Sequence, residues 1–424
     1  MSDLPPVTDE HSTGRAAWLA RLWAVATPLL VGVTWPLWSG AARLPAVPAA
    51  DWLRTPPFVG PLLLAGAAWG ALCVLRGKCQ TGLAYGVVCL GGLMLLDQLR
   101  WQPWAYHLLI MAVVLLTAGP TLAVRLLRAL AVSVYFYSAV AKLDYAFAST
   151  LGRQMLEAAT GWVGLSPREW PVWLVFGLAL AMPVAEGLIA PLLCFRKTRR
   201  VGLLLATAMH AGAVLVLGPL GLGHRPGVLL WNLVFPTHLW LLFGPPIRSA
   251  GMQAVRARPS WAPAVAVGIV VLAIVGPLTR PLGWWDRWPS WGLYAPGGER
   301  TEVLVHRSVV DRLPDSLPLD SPDEATGRAP TPDADEQSDW RRLRLDEWSL
   351  GNSWAPLYPQ RRTTIALARS IQSSARLGDF LRVDLYTAAN RFSGERQVET
   401  LLGAKAIDAY AERYWLNAKS GPLP

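Results

Sequence analysis

The sequence predicts an all-α polytopic membrane helix bundle of about nine spans, with a small C-terminal α+β domain outside the membrane. Three observations predict it. Mean hydropathy is +0.31 over 424 residues, 53% of them hydrophobic and only 16% charged, too little charge to cover a water-facing surface of that size. The apolar character is confined: long apolar runs fill residues 16–282, and ordinary mixed sequence begins at Gly283. Many of the 22 tryptophans stand at the ends of apolar runs, among them Trp35, Trp38, Trp101, Trp104, Trp170, Trp284, Trp285 and Trp288. An indole there keeps its ring dry and its N–H wet at headgroup level.

A span needs about 20 predominantly apolar residues to cross about 30 Å of hydrocarbon. The candidates are 17–39, 58–75, 80–96, 103–118, 121–143, 171–195, 201–220, 226–243 and 262–281. The third and fourth are short and only residues 97–102 separate them. Gly119-Pro120, Gly218-Pro219 and Gly244-Pro245 punctuate turns.

Basic residues orient the bundle. The even-numbered loops carry Arg76 and Lys78, then Arg125 and Arg128, then Arg196, Lys197, Arg199 and Arg200, then Arg248, Arg256 and Arg258. The other loops mix fewer basic residues with Asp51, Asp144, Glu157 and Glu169. The positive-inside bias puts residues 1–16 in the cytoplasm as a tail and 283–424 outside it; the expected location is a bacterial inner membrane. This asymmetry accounts for the net charge of +10, so no nucleic-acid partner is expected. No small-residue cleavage site follows a short apolar segment, so the first span reads as a signal anchor.

The four cysteines, Cys73, Cys79, Cys89 and Cys194, show no C-x-x-C spacing and none lies beyond residue 283. In the C-terminal domain, residues 311–339 read as a disordered, acidic, Pro-rich loop. Strand-like runs cover 301–310, 341–350 and 380–387, and helical patterns cover 363–376 and 405–415. Arg391 with Gly394-Glu395-Arg396 offers a binding turn, but reads first as an exposed charged turn.

Chemistry is expected inside the bundle, where each ionisable group costs about 2.5–3.5 kcal/mol to insert and calls for a reason. Lys142 ends the fifth span, and Arg128, Tyr135 and Lys142, seven apart, share one helix face. Snorkelling to the headgroups explains such a lysine; an amine turned into the bundle and held neutral would be a general base. His107, His210, His238, Glu186 and Asn232 are the other polar groups within spans. They show no metal-ligand spacing, so no metal is predicted.

The order of these features resembles a known family. An aromatic-rich span ends in Ala141-Lys142-Leu143-Asp144, Gly152-Arg153-Gln154-Met155-Leu156 follows, then a span with Glu186, the basic run 196–200, and His210 at the centre of the next span. Over residues 16–281 this is similar to the horizontally transferred transmembrane (HTTM) domain, the membrane part of the vitamin K-dependent gamma-carboxylase, and to DoxX-like bacterial relatives. The resemblance implies a quinone or hydroquinone cofactor, with Lys142 as the base that deprotonates the quinol and His210 as its companion. Tyr106, His107, Tyr135, Trp104 and Asn232 are then expected to line the quinol site, and Lys142 to point into a concavity shared with His210. Ala141 stands where the family has a first lysine, and Trp104 where it has a histidine. With only about 140 residues outside the bundle to hold a protein substrate, carboxylation of peptide glutamate is not expected. The expected partners are the bilayer and a lipid or quinone. The alternative is a non-catalytic membrane module that presents its outer domain to a partner or assists a redox or secretion complex.

Overall fold

The computed structural model describes residues 7–42, 44–247, 259–320 and 339–423. The first two-thirds is helical: α1 (Val7–Val33), α2 (Trp35–Ser39), α3 (Val59–Leu75), α4 (Cys79–Leu96), α5 (Pro103–Thr117) and α6 (Pro120–Val140), then α7 (Tyr145–Ser149), α8 (Leu151–Gly161), α9 (Val172–Cys194), α10 (Arg199–Leu217), α11 (Pro226–Phe243) and α12 (Ala262–Val275). Proline opens α5, α6 and α11, where its missing N–H would have no partner in the helix anyway. Helix α1 begins at Val7, so the expected N-terminal tail is already helical before Ala17.

Among the described residues, seven helices are long and apolar enough to cross a membrane, and α3 and α5, at 17 and 15 residues, are shorter apolar helices. Their outer faces carry Leu29, Val88, Leu188, Leu204, Leu233 and Val271 exposed. An apolar perimeter of this extent belongs in lipid, and the chain is an integral membrane protein. Between α3 and α4 the backbones touch: a Cβ on Gly70 would lie 2.7 Å from the Gly82 carbonyl oxygen. Small residues at such a contact let dispersion hold two helices that gain nothing from hiding from water.

The helix ends sort into two groups. At one end Arg15 donates to the carbonyl oxygens of Gly244 (2.6 Å) and Pro245 (2.9 Å), and Arg128 donates to that of Leu242 (2.8 Å). These cations satisfy carbonyls that the end of α11 leaves open. Arg248, Arg256 and Arg258 lie outside the described residues. At the other end the loops meet the C-terminal segment. Asn417 N donates to Ala49 O (3.1 Å), Gln98 Nε2 to Asn417 O (2.8 Å) and Tyr145 N to Arg391 O (2.7 Å).

That segment contains a four-stranded antiparallel sheet, ordered β2-β1-β3-β4, from β1 (Arg300–His306), β2 (Trp340–Arg342), β3 (Leu381–Tyr386) and β4 (Val398–Leu402). The helix Arg361–Ala375 lies between sheet and bundle, and Thr363 to Ala368 are all buried. The strand expected at 341–350 is mostly a helix, Leu345–Ser353. Leu345, Trp348, Ser349 and Ser353 are its buried positions, a helical spacing that the Arg341/Leu343/Leu345 alternation obscured. Strand β4 was not expected, because its burial is one-sided and weak. Within 311–339, Leu317 and Asp320 are buried and residues 321–338 lie outside the described residues.

Arg362 joins the parts. Its guanidinium donates to Asp286 Oδ1 (2.6 Å), to Asp286 Oδ2, and through Nε to Gln98 Oε1 (2.6 Å). Gln98 sits between α4 and α5, Asp286 follows the last span, and Arg362 belongs to the C-terminal helix. Three tryptophans expected at headgroup level are enclosed instead: Trp38, Trp104 and Trp288 are at most 9% exposed. They fill the junction between the bundle end and the C-terminal segment, with Trp38 and Trp104 in ring contact at 5.4 Å.

Candidate functional site

Helix α6 stops at Val140, and the chain turns through Ala141 and Lys142. From there the Lys142 amine reaches back one turn to donate to Ser138 Oγ (3.0 Å) and across to Glu186 Oε2 on α9 (2.5 Å). The two side chains are 12% and 11% exposed, so neither snorkels to water. Together they bring no net charge into the bundle, which is how two groups this costly coexist there.

A second polar chain crosses from α6 to α11. Asn232 Nδ2 donates to the Val228 carbonyl one turn earlier (2.8 Å), which turns its Oδ1 toward His210 Nδ1 (2.8 Å). An amide oxygen only accepts, so this contact assigns the proton to Nδ1. His210 Nε2 is then the acceptor for the Tyr135 hydroxyl at 2.8 Å. The outcome is a neutral histidine of fixed tautomer, with lone pairs left on the Tyr135 oxygen.

Both groups open on one cavity of about 650 Å³. Its wall is largely apolar, with Val134, Phe147, Leu205, Trp231 and Phe235, and with Met155, Met182 and Met209, whose unbranched side chains adapt to what they touch. Trp288, Leu293, Tyr294 and the run Trp354-Ala355-Pro356 close it on the side of the C-terminal segment. Tyr294 lies 3.5 Å from His224 Nδ1 in that roof, where burial pushes the Tyr294 hydroxyl well above its usual range and lowers His224. At neutral pH both stay uncharged, and Arg225 beside His224 brings a cation to the cavity lining.

Of the expected residues, Lys142, His210, Tyr135, Trp104 and Asn232 line this cavity. Tyr106 and His107 do not. Tyr106 packs on Trp291 with ring centroids 5.3 Å apart, and His107 Nε2 faces His238 Nδ1 at 3.3 Å. Tyr106 thus turns toward Trp291, and His107 packs behind the cavity wall, with ring centroids 5.5 Å from Trp231 and 5.3 Å from Phe235, while Trp104, two and three residues earlier, lines the cavity. Glu186 was visible in the sequence as a charge within a span; its role as the partner of Lys142 was not. The usable signal was that an intramembrane cation needs an intramembrane anion, and Glu186 is the acid nearest the middle of a span.

Removing one member of the ion pair leaves the other charged in hydrocarbon. Glu186→Gln and Lys142→Met should each cost about 3–5 kcal/mol, whereas the double variant should cost far less than the sum. Thermal unfolding of the four proteins in one detergent measures this. Additive losses would show that the pair does not form.

No family model, curated protein or solved structure matches this chain, so its chemistry is argued from the cavity itself.

Proposed function

We propose that the cavity binds a lipid-soluble, hydroxyl-bearing molecule of the isoprenoid quinol class and that Lys142 and Glu186 manage its proton. The observation that carries this reading is the direction of the Lys142–Glu186 pair, which faces a roofed cavity shared with His210 instead of lipid. The apolar wall suits a prenyl tail and ring; the ion pair and the Tyr135 oxygen suit a hydroxyl. When bound, a quinol supplies reducing hydroxyl groups. Paired with Glu186, the Lys142 amine is an ammonium and has no room for a further proton. The Glu186 carboxylate therefore accepts the hydroxyl proton, and Lys142 balances the negative charge left in the cavity. This moves the base role that the HTTM resemblance implies for Lys142 to Glu186 and leaves Lys142 as the counter-charge. Tyr135, held by His210 and Asn232, accepts a hydrogen bond from the ligand and orients it.

The same reading takes α3 and α5 as spans, nine in all, with the N-terminus in the cytoplasm of a bacterium and residues 283–424 outside. The basic residues grouped at the end of α11 support it, as do the loops gathered under the C-terminal segment. Alkaline phosphatase fused after Pro424 should be active, and a fluorescent reporter that matures in the cytoplasm should be dark there. The reverse pattern overturns the orientation.

Mass spectrometry of lipids extracted from the purified protein tests the ligand. A prenylated quinone should be enriched over bulk membrane lipid in the wild type and fall about tenfold in Gly212→Phe, which fills the cavity from α10. A Cβ at Gly212 meets nothing within 4 Å, so the variant has room to fold. Equal lipid profiles in both proteins would refute the proposal.

A further inference from the structure

A second cavity, of about 640 Å³, lies in the C-terminal segment on the water side of the roof. Six arginines and four acidic residues line it, and the pairing between them is uneven. Arg300 and Arg342 both bond Glu302, the latter at 3.0 Å. Arg344 pairs with Glu347, and Arg361 stands 3.5 Å from Glu299. Arg396 spends its donors on backbone, meeting Gly298 O (2.6 Å), Thr387 O (2.6 Å) and Pro296 O (2.7 Å). It is thus a brace for the 296–298 loop, while Arg391 and Glu395 of the same turn are exposed as expected.

Arg287 is left over. It is half-buried, lines the cavity, and has no hydrogen-bond or ion-pair partner among the described residues. Its guanidinium lies against the braced loop: a Cβ on Gly298 would come within 2.9 Å of its Cζ, so glycine is what lets the cation settle there. Removal from bulk water, with Arg280 and Arg396 nearby, pushes Arg287 down to about 10, against a smaller opposing pull from Asp144 and from Asp346, which lines the same cavity. It remains charged at neutral pH, in a place where a negative charge would relieve its surroundings.

We propose that Arg287 is the anchor of a second binding site, which takes a small oxyanion carrying phosphate or carboxylate groups. A guanidinium offers paired donors that match either oxyanion, and the surplus of arginines draws such a ligand in. The site stands independently of what occupies the inner cavity. The wall between the two is thin: Arg287 lines the outer cavity and the next residue, Trp288, lines the inner one. The same oxyanion chemistry is available from a dissolved molecule or from the headgroup of an anionic lipid, since Tyr145 and Ser149, just past the end of α6, also line the site.

The test is calorimetric titration of the full-length protein in nanodiscs with inorganic phosphate and with citrate. Nanodiscs of neutral phosphatidylcholine are compared with nanodiscs that also contain phosphatidylglycerol. Binding of either anion in neutral nanodiscs, weakened about tenfold by Arg287→Gln and less by Arg287→Lys, is the expected result. Arg153→Gln, on exposed α8 and outside the cavity, should leave it unchanged. Competition by phosphatidylglycerol that depends on Arg287 would assign the site to a lipid headgroup and also support it. No binding in the neutral nanodiscs and no Arg287-dependent lipid effect, or binding that survives Arg287→Gln, overturns the proposal.

Discussion

A lysine and a glutamate buried inside the bundle constrain everything around them. Each alone costs several kcal/mol, and neither can leave without stranding the other. Here the pair joins the end of α6 to the middle of α9 at 2.5 Å, so the two helices must keep their relative height. The Tyr135–His210–Asn232 chain then ties α6 to α10 and α11 through neutral hydrogen bonds. The cavity is the space these ties enclose. Its roof depends on a second set of charges, Arg362 with Asp286 and Gln98, which holds the C-terminal segment down on the bundle. A partly buried Asp bonded by both ends of a guanidinium is a rigid joint, because its geometry permits little sliding.

Much of this was legible in the residues. Span positions follow from apolar runs bounded by Gly-Pro turns, because nothing except a helix can satisfy its backbone in lipid. The seven-residue spacing of Tyr135 and Lys142 placed both on the cavity side, although the helix ends before Lys142 and the amine turns back to reach Ser138. His210 and Asn232 stood out as polar groups within spans. Other features were not legible. Tyr106 and His107 lie within one turn of Trp104 yet face a different neighbour, because helix rotation is set by packing partners that a single sequence does not name. The enclosed Trp38, Trp104 and Trp288 look in sequence like headgroup anchors. Only the docking of a segment more than two hundred residues downstream turns two of them into interior residues. Gln98 and Arg362 likewise meet across 264 residues.

Two cavities of similar size, one apolar with an ion pair and one rich in arginine, stand on either side of the 287–288 step. On the proposed reading, the lipid-soluble reactant occupies the first cavity and the second opens on the water side.

The central claim is that a quinol-type molecule sits among Lys142, Tyr135 and His210. Photolabelling with an azido-quinone in native membranes, followed by peptide mapping, tests this most directly. The account predicts label on the cavity wall of α9 to α11, near Met182, Met209 and Trp231, which an excess of unlabelled quinone removes. Label confined to the lipid-facing Leu188, Leu204 and Leu233, or label that quinone does not displace, would contradict it.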